Sequence, residues 1–199
     1  MSEVADRKRA GLMQAAIRVI AEDGLENTSV KDICRVSDIN VAYVYRYFDN
    51  KEDLIAKTFA REDQGLLNGI LNDFMLLRFN SIDYEMRCRL VFTKCWEYLM
   101  ARPQELIFYV RYYYSYSFQQ YSYADHIERY AGLVEKMRPA FPESVDVRML
   151  LHYILDTILI QAERQILNPQ GSNQECGERC FAMIYSAVKG SVKQETLEK

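Results

Sequence analysis

The stretch from Thr28 to Leu54, TSVKDICRVSDINVAYVYRYFDNKEDL, leaves little freedom in how it can fold. Ser29 and Asp32 have the spacing of a capping box, in which a hydroxyl and a carboxylate three residues apart each accept a backbone N–H, so a helix is expected to open at Val30. Val30, Ile33 and Val36 give that helix one apolar face. Asp38-Ile39-Asn40 interrupts it, and Asn40 is a suitable N-cap for a second helix over residues 41–48. Two turns of helix are too short to be stable alone, so neighbours must hold it. Asn50 and Asp53 repeat the capping spacing and are expected to launch a further, longer helix at Lys51. Two short helices with a tight turn between them, the second carrying Tyr43, Tyr45, Arg46 and Tyr47, describe a helix-turn-helix whose second helix can enter a DNA major groove.

Helical periodicity continues on both sides. Leu12, Ala15, Ala16, Val19 and Ile20 form a stripe on a first helix over 6–23 that Gly24 ends. A fourth helix is expected from residue 51 to about 77, linking head to body, and a fifth over 82–101 with Cys88, Val91, Phe92, Cys95, Trp96 and Leu99 on one face. Pro103 suits a helix start, and the helix it begins, 103–120, belongs to a segment with nine aromatic residues between Phe108 and Tyr123. Further helices fit 124–138, 144–167 and 174–192. The last two carry broad apolar faces, Leu151, Leu155, Ile158, Leu159, Ala162 and Ile166 on one and Phe181, Ile184, Tyr185 and Val188 on the other. The fold class is therefore all-α: a three-helix head over 1–50 and a larger helical body over 51–199.

The head resembles the DNA-binding domain of the TetR family of bacterial transcriptional regulators. The matching residues run from Ala15-Ala16 through Gly24, Thr28-Ser29-Val30, Asp32-Ile33, Val44-Tyr45, Tyr47-Phe48 and Lys51-Glu52 to Leu54, about a quarter of the chain. The resemblance implies a ligand-responsive regulator, a repressor, that binds a double-stranded, inverted-repeat DNA operator as a homodimer and is released by a small hydrophobic or aromatic effector. It places the DNA contacts at Thr28, Ser29, Asn40, Val41, Ala42, Tyr43, Tyr45, Tyr47 and Lys51. The chemistry agrees for most, since hydroxyls and N–H groups at helix starts suit phosphates and a small Ala42 lets the helix approach the groove. The chain departs from the family in flanking Ala42 with Val41 and Tyr43, where a hydroxyl or basic residue is common. Arg46 is equally explained by a surface ion pair with Asp49.

The resemblance also implies a cavity in the body. Tyr109, Tyr112, Tyr113 and Tyr116 stand at i, i+3, i+4 and i+7, a face able to stack flat or cationic molecules. Trp96 and Asp156, the latter in an apolar run, are the further candidates. The same tyrosines are equally explained as core and rim. In TetR-like proteins the last two helices pair with those of a second subunit, which would use the two apolar faces above; burial inside one subunit is the alternative.

Composition narrows the rest. Residues 1–51 hold eight Lys/Arg and eight Asp/Glu, so the excess of acid that makes the net charge −3 lies in the body. A neutral head must bind DNA through local placement of a few cations rather than a basic field. Five cysteines, an odd number without a CxxC, read as small apolar residues in a reducing compartment. His126 and His152 lack ligand spacing, so neither a metal nor a cofactor is expected. There is no apolar run of membrane-spanning length and no apolar leader, and the expected location is cytoplasmic. No Gly-rich phosphate loop, nucleophile motif, metal spacing or pair of carboxylates next to a histidine points to an enzyme. A helical protein-interaction module that has lost operator binding is the other reading of the same features.

Overall fold

The computed structural model describes residues 3–74 and 82–198, and the regular structure among them is helical. In chain order the helices are α1 (Glu3–Asp23), α2 (Val30–Ser37), α3 (Val41–Tyr47), α4 (Lys51–Phe74), α5 (Tyr84–Met100), α6 (Pro103–Tyr113), α7 (Tyr116–Tyr121), α8 (Tyr123–Met137), α9 (Val147–Leu167), α10 (Asn173–Lys189) and α11 (Gln194–Leu197). The expected end of α4 near Leu77 lies outside the described residues. Two compact units emerge, one of Met1–Gln64 with Gln104–His126, the other of Gly65–Pro103 with Ile127–Lys199. The first unit is thus discontinuous in sequence. It joins the head to the start of α4, to nearly all of α6 and to α7.

Within the first unit, the α1 stripe is buried as its periodicity predicts, and Gly24, at φ 90°, turns the chain out of the helix while its N–H bonds Ile20 O at 3.0 Å. Leu12, Ala15 and Ala16 pack with Ile33, Val44, Phe48 and Leu54, so α1 supplies the floor on which the two short helices sit. Phe59 of α4 continues this interior toward α6 and α7, with ring centroids 4.7 Å from Tyr109, 5.0 Å from Tyr112 and 5.3 Å from Phe118. Arg111 of α6 donates to Ile20 O at 2.6 Å, a second donor on the carbonyl that already accepts from Gly24 N–H at the C-terminal end of α1.

Two expectations are corrected here. The helix over 103–120 is broken: Ser115 Oγ donates to Tyr112 O at 2.6 Å and accepts the N–H of Phe118 at 3.2 Å, ending α6 and capping α7. A serine offering its own bonds to the backbone competes with helix continuation. The second box is also shifted. Asn50 Oδ1 accepts from Asp53 N at 2.8 Å, but the Asp53 carboxylate returns to the N–H of Asp49, not Asn50.

In the second unit, α5, α9 and α10 pack mutually. Leu151, Leu155, Ile158, Leu159 and Ala162 of α9 and Phe181, Ile184 and Val188 of α10 are buried within the single chain, together with Phe92, Trp96 and Leu99 of α5. The apolar faces read from sequence as the pairing surface are therefore core. Periodicity reports that a face is covered, not which chain covers it. The five cysteines are free, and burial pushes the thiols of Cys88 and Cys180 up to about 11 and about 12, which leaves them protonated and weakly nucleophilic. Among the described residues no group of three His, Cys, Asp or Glu side chains is placed to hold a metal, and no helix is long and apolar enough to cross a membrane.

Trp96 is buried, and its Nε1 donates to Asn173 O at 2.9 Å, at the first turn of α10. This geometry depends on Gly177, where an added Cβ would fall 2.9 Å from Trp96 Nε1 and 3.0 Å from Cδ1. Gly177→Ala sets a helix-propensity gain of up to about 1 kcal/mol against overpacking that typically costs about 1–3 kcal/mol. The clash wins because its partner is a rigid ring. We expect a net loss of about 1 kcal/mol or more in urea unfolding and a red-shifted tryptophan emission; a stabilised variant with unchanged emission would contradict the packing.

The capping boxes of α2 and α10 give a pH prediction. Hydrogen bonds from Ser29 hold the Asp32 carboxyl below its usual range, and those from Ser172 do the same for Glu175. A lowered folded-state pKa stabilises above the ordinary carboxylate value, near 4, and this contribution is lost as pH falls through the folded value. Amide exchange at Ser29 and Ser172, whose N–H groups donate to these carboxylates at 3.1 and 2.9 Å, should be protected at neutral pH. That protection should disappear below about pH 4.

Candidate nucleic-acid interface

The capping box that opens α2 closes both ways, with Ser29 N donating to Asp32 Oδ2 at 3.1 Å and Asp32 N to Ser29 Oγ at 3.3 Å. The helix ends at Asp38, which takes φ 53°, a left-handed conformation that aspartate tolerates better than most residues, and Ile39 N–H then bonds Cys34 O at 3.3 Å. Asn40 starts the next helix, its Oδ1 accepting from Ala42 N at 2.9 Å. A left-handed residue followed two positions later by an N-cap makes the turn of the helix-turn-helix tight.

On α3 the division of faces is sharp. Val44 and Phe48 are buried in the head core, and Val41 and Tyr47 pack partly against it. Ala42, Tyr45 and Arg46 are exposed, Tyr45 to 61%. Tyr43 is half-buried, with Lys8 Nζ 3.7 Å from its ring centroid. A seven-residue helix thus places an aromatic hydroxyl, a guanidinium and a methyl group in solvent on one side while an apolar side anchors it.

The other expected contact residues fall in two groups. Ser29 and Asn40 are exposed at helix starts but already cap their helices. Thr28, at 3% exposure, turns inward and donates from Oγ1 to Gly24 O at 2.7 Å. Lys51 Nζ donates to Thr28 O at 2.9 Å, so it ties the start of α4 to the segment before α2 as well as carrying charge.

The tyrosine face is not assembled as a single site. Tyr109 and Tyr112 are buried; Tyr109 OH donates to Asp63 Oδ1 at 2.7 Å, and Tyr112 OH lies 2.9 Å from Ser122 Oγ. Burial pushes the Tyr112 phenol above its ordinary pKa. Tyr113 packs on Tyr109, Phe118 and His126 at 5.8, 4.7 and 5.4 Å between centroids. Tyr116 lies beyond the Ser115 break and is 81% exposed. Trp96 and half-buried Asp156 belong to the other unit.

That unit contains a cavity of about 340 Å³ lined by Leu66, Gly69 and Ile70 of α4 and Lys94, Cys95, Glu97 and Tyr98 of α5. Sequence reasoning passed over it. Its signal was the pair Gly65 and Gly69, one turn apart inside a helix where each glycine costs up to about 1 kcal/mol relative to alanine. At Gly65 a Cβ would stand 3.0 Å from Tyr98 Oη. The pairing of Asp63 with His126 also escaped notice, because the two are remote in sequence: His126 Nδ1 lies 3.0 Å from Asp63 Oδ2.

Comparison with known proteins agrees with this architecture. Residues 12–58 match the family described as bacterial regulatory proteins, tetR family. The HTH-type transcriptional regulator LuxR of Vibrio harveyi is 26% identical over 83 residues, covering 42% of this chain and 37% of that protein. Among solved structures, a TetR family transcription regulator from Marinobacter aquaeolei VT8 superposes with a TM-score of 0.77 at 20% identity, over 98% of this chain and 100% of that one. FadR of Bacillus subtilis, solved in complex with stearoyl-CoA, gives 0.65 at 19% identity, over 89% and 97%. The sequence match to the tetR family falls on the helix-turn-helix described above, and the likeness of fold to a TetR family regulator extends through the body.

Proposed function

We propose that the protein is a ligand-responsive transcriptional regulator, a repressor, that binds an inverted-repeat operator as a homodimer. The observation that carries this reading is the two-sided α3, anchored by Val44 and Phe48 and presenting Ala42, Tyr45 and Arg46 outward. Tyr43 and Val41 flank that face and supply base contacts, and Lys51 with Tyr47 supplies phosphate contacts.

The dimer contact is assigned to a different face of α9 and α10 from the buried stripes. Met149, Tyr153 and Leu167 of α9 and Met183 of α10 are large apolar side chains left exposed in the single chain. With Asp156, Ile160 and Glu163 the α9 positions recur every three or four residues, the spacing of a helix-pairing seam.

The effector is assigned to the cavity between α4 and α5. Its volume lies at the low end of ligand pockets, which run from about 300 to 1,000 Å³. Its apolar walls carry a lysine and a glutamate at the rim, 3.4 Å apart. A short amphiphile suits it better than a molecule the size of the stearoyl-CoA found in the FadR complex. Since α4 bears Lys51 at one end and Gly69 near the other, roughly 27 Å away along the helix, ligand preference for one position of α4 would reach the head.

Three measurements test this reading. Gel shifts with genomic fragments should give a sequence-preferred complex with a shallow salt dependence, on the order of 4–8 phosphates per dimer. Tyr45→Ala should weaken it at least severalfold without changing thermal stability, since Tyr45 is exposed. No sequence-preferred complex would favour the protein-interaction module instead. Met183→Glu and Tyr153→Glu should fold and sediment as monomers, because both sites are exposed in the single chain; an unchanged dimer would place the contact elsewhere. Gly69→Leu, where the first added carbon meets Tyr98 at 3.9 Å, should fill the cavity and abolish effector release while leaving DNA binding intact.

A further inference from the structure

The ammonium of Lys8 stands over the face of the Tyr43 ring, 3.7 Å from its centroid. The contact follows from the register of α1. Lys8 lies one turn before Leu12, on the side of α1 that packs the head core, and so continues that stripe just past its apolar end. Its neighbour Arg7 points away, pairing with Glu3 at 3.3 Å on the open surface. Both Lys8 and Tyr43 are half-buried, whereas Ala42 and Tyr45 on either side of the reading face are exposed. A cation this close to a ring is well inside the range over which the ring quadrupole attracts it, and partial burial strengthens the attraction. A tyrosine side chain has two soft torsions, and a partner held against one face biases both.

We propose that Lys8 is a positioning residue for sequence reading: it holds the Tyr43 ring in the orientation with which α3 meets base edges, and so sets specificity beyond adding charge for phosphates. This rests on the reading of α3 as the DNA-contacting helix. The distinction between the two roles is measurable. A phosphate-binding lysine contributes equally on every sequence, whereas a residue acting through Tyr43 alters discrimination at the base that Tyr43 meets.

The experiment measures binding of wild type, Lys8→Ala, Lys8→Arg, Tyr43→Leu and the Lys8→Ala/Tyr43→Leu double variant to the preferred site and its single-base variants. We expect Lys8→Ala to lower discrimination about three- to tenfold at the base pair affected by Tyr43→Leu, the range expected for loss of a partly buried cation–π contact. Lys8→Arg should retain discrimination, because a guanidinium stacks on the same ring. The double variant should discriminate no worse than Tyr43→Leu alone, the signature of coupled residues. In the DNA-free protein, the Tyr43 ring resonances should shift in Lys8→Ala and stay near their wild-type values in Lys8→Arg. A uniform loss of affinity across all sequences, additive with Tyr43→Leu, would overturn the proposal, as would ring resonances unmoved in Lys8→Ala. Failure of the wild type to form any sequence-preferred complex would overturn the DNA-reading assignment and this inference with it, and is told apart by that control.

Discussion

A carboxylate with no solvent exposure organises the interior of the first unit. Asp63 of α4 receives the hydroxyl of Tyr109 from α6 and lies against the imidazole of His126 from α8. Burying such a group without hydrogen-bond partners costs several kcal/mol or more, so the three helices are tolerated only where these side chains meet. The aromatic rings around it, Phe59, Tyr113 and Phe118, then fill the space that the polar contact defines. A nonpolar core alone accepts many packings of similar energy; a buried polar contact with directional bonds accepts few.

The head uses the opposite strategy. Its short helices contain few polar contacts to the interior and depend on α1 beneath them and on caps at their ends. Because α3 is seven residues long, its orientation is set by Val44 and Phe48 on one side, by the turn at Asp38 and Asn40, and by the Lys51 tie to Thr28. None of them uses the exposed side chains of Ala42, Tyr45 and Arg46, so that face can vary in sequence without disturbing the anchor. That separation suits a surface whose chemistry must change with its target while its placement does not.

The sequence made the two short helices of the head legible to within a residue, and α1 to within three, because its signals are local: hydroxyl and carboxylate caps, a glycine stop, and a stripe at helical spacing. The body was legible as helices but not as a site. The run of tyrosines suggested one continuous face, yet Ser115 ends α6, and its competing side-chain bonds are invisible to a count of aromatic periodicity. The stripes of α9 and α10 were located correctly and assigned to a partner subunit, although α5 covers them within the chain. Asp63 and His126 are 63 residues apart and carry no shared spacing, so only the folded chain brings them together.

The discontinuity of the first unit has a consequence for how it is made. Residues 1–64 leave the ribosome before residues 104–126 exist. At roughly 5–20 residues per second, the side of α4 carrying Phe59 and Asp63 waits for several seconds before α6 and α7 arrive to cover it. During synthesis the nascent head therefore presents an aromatic ring and an uncovered carboxylate on the same helix. The carboxylate keeps that surface hydrated, so the polar contact that later fixes the fold also discourages premature association of the half-made chain.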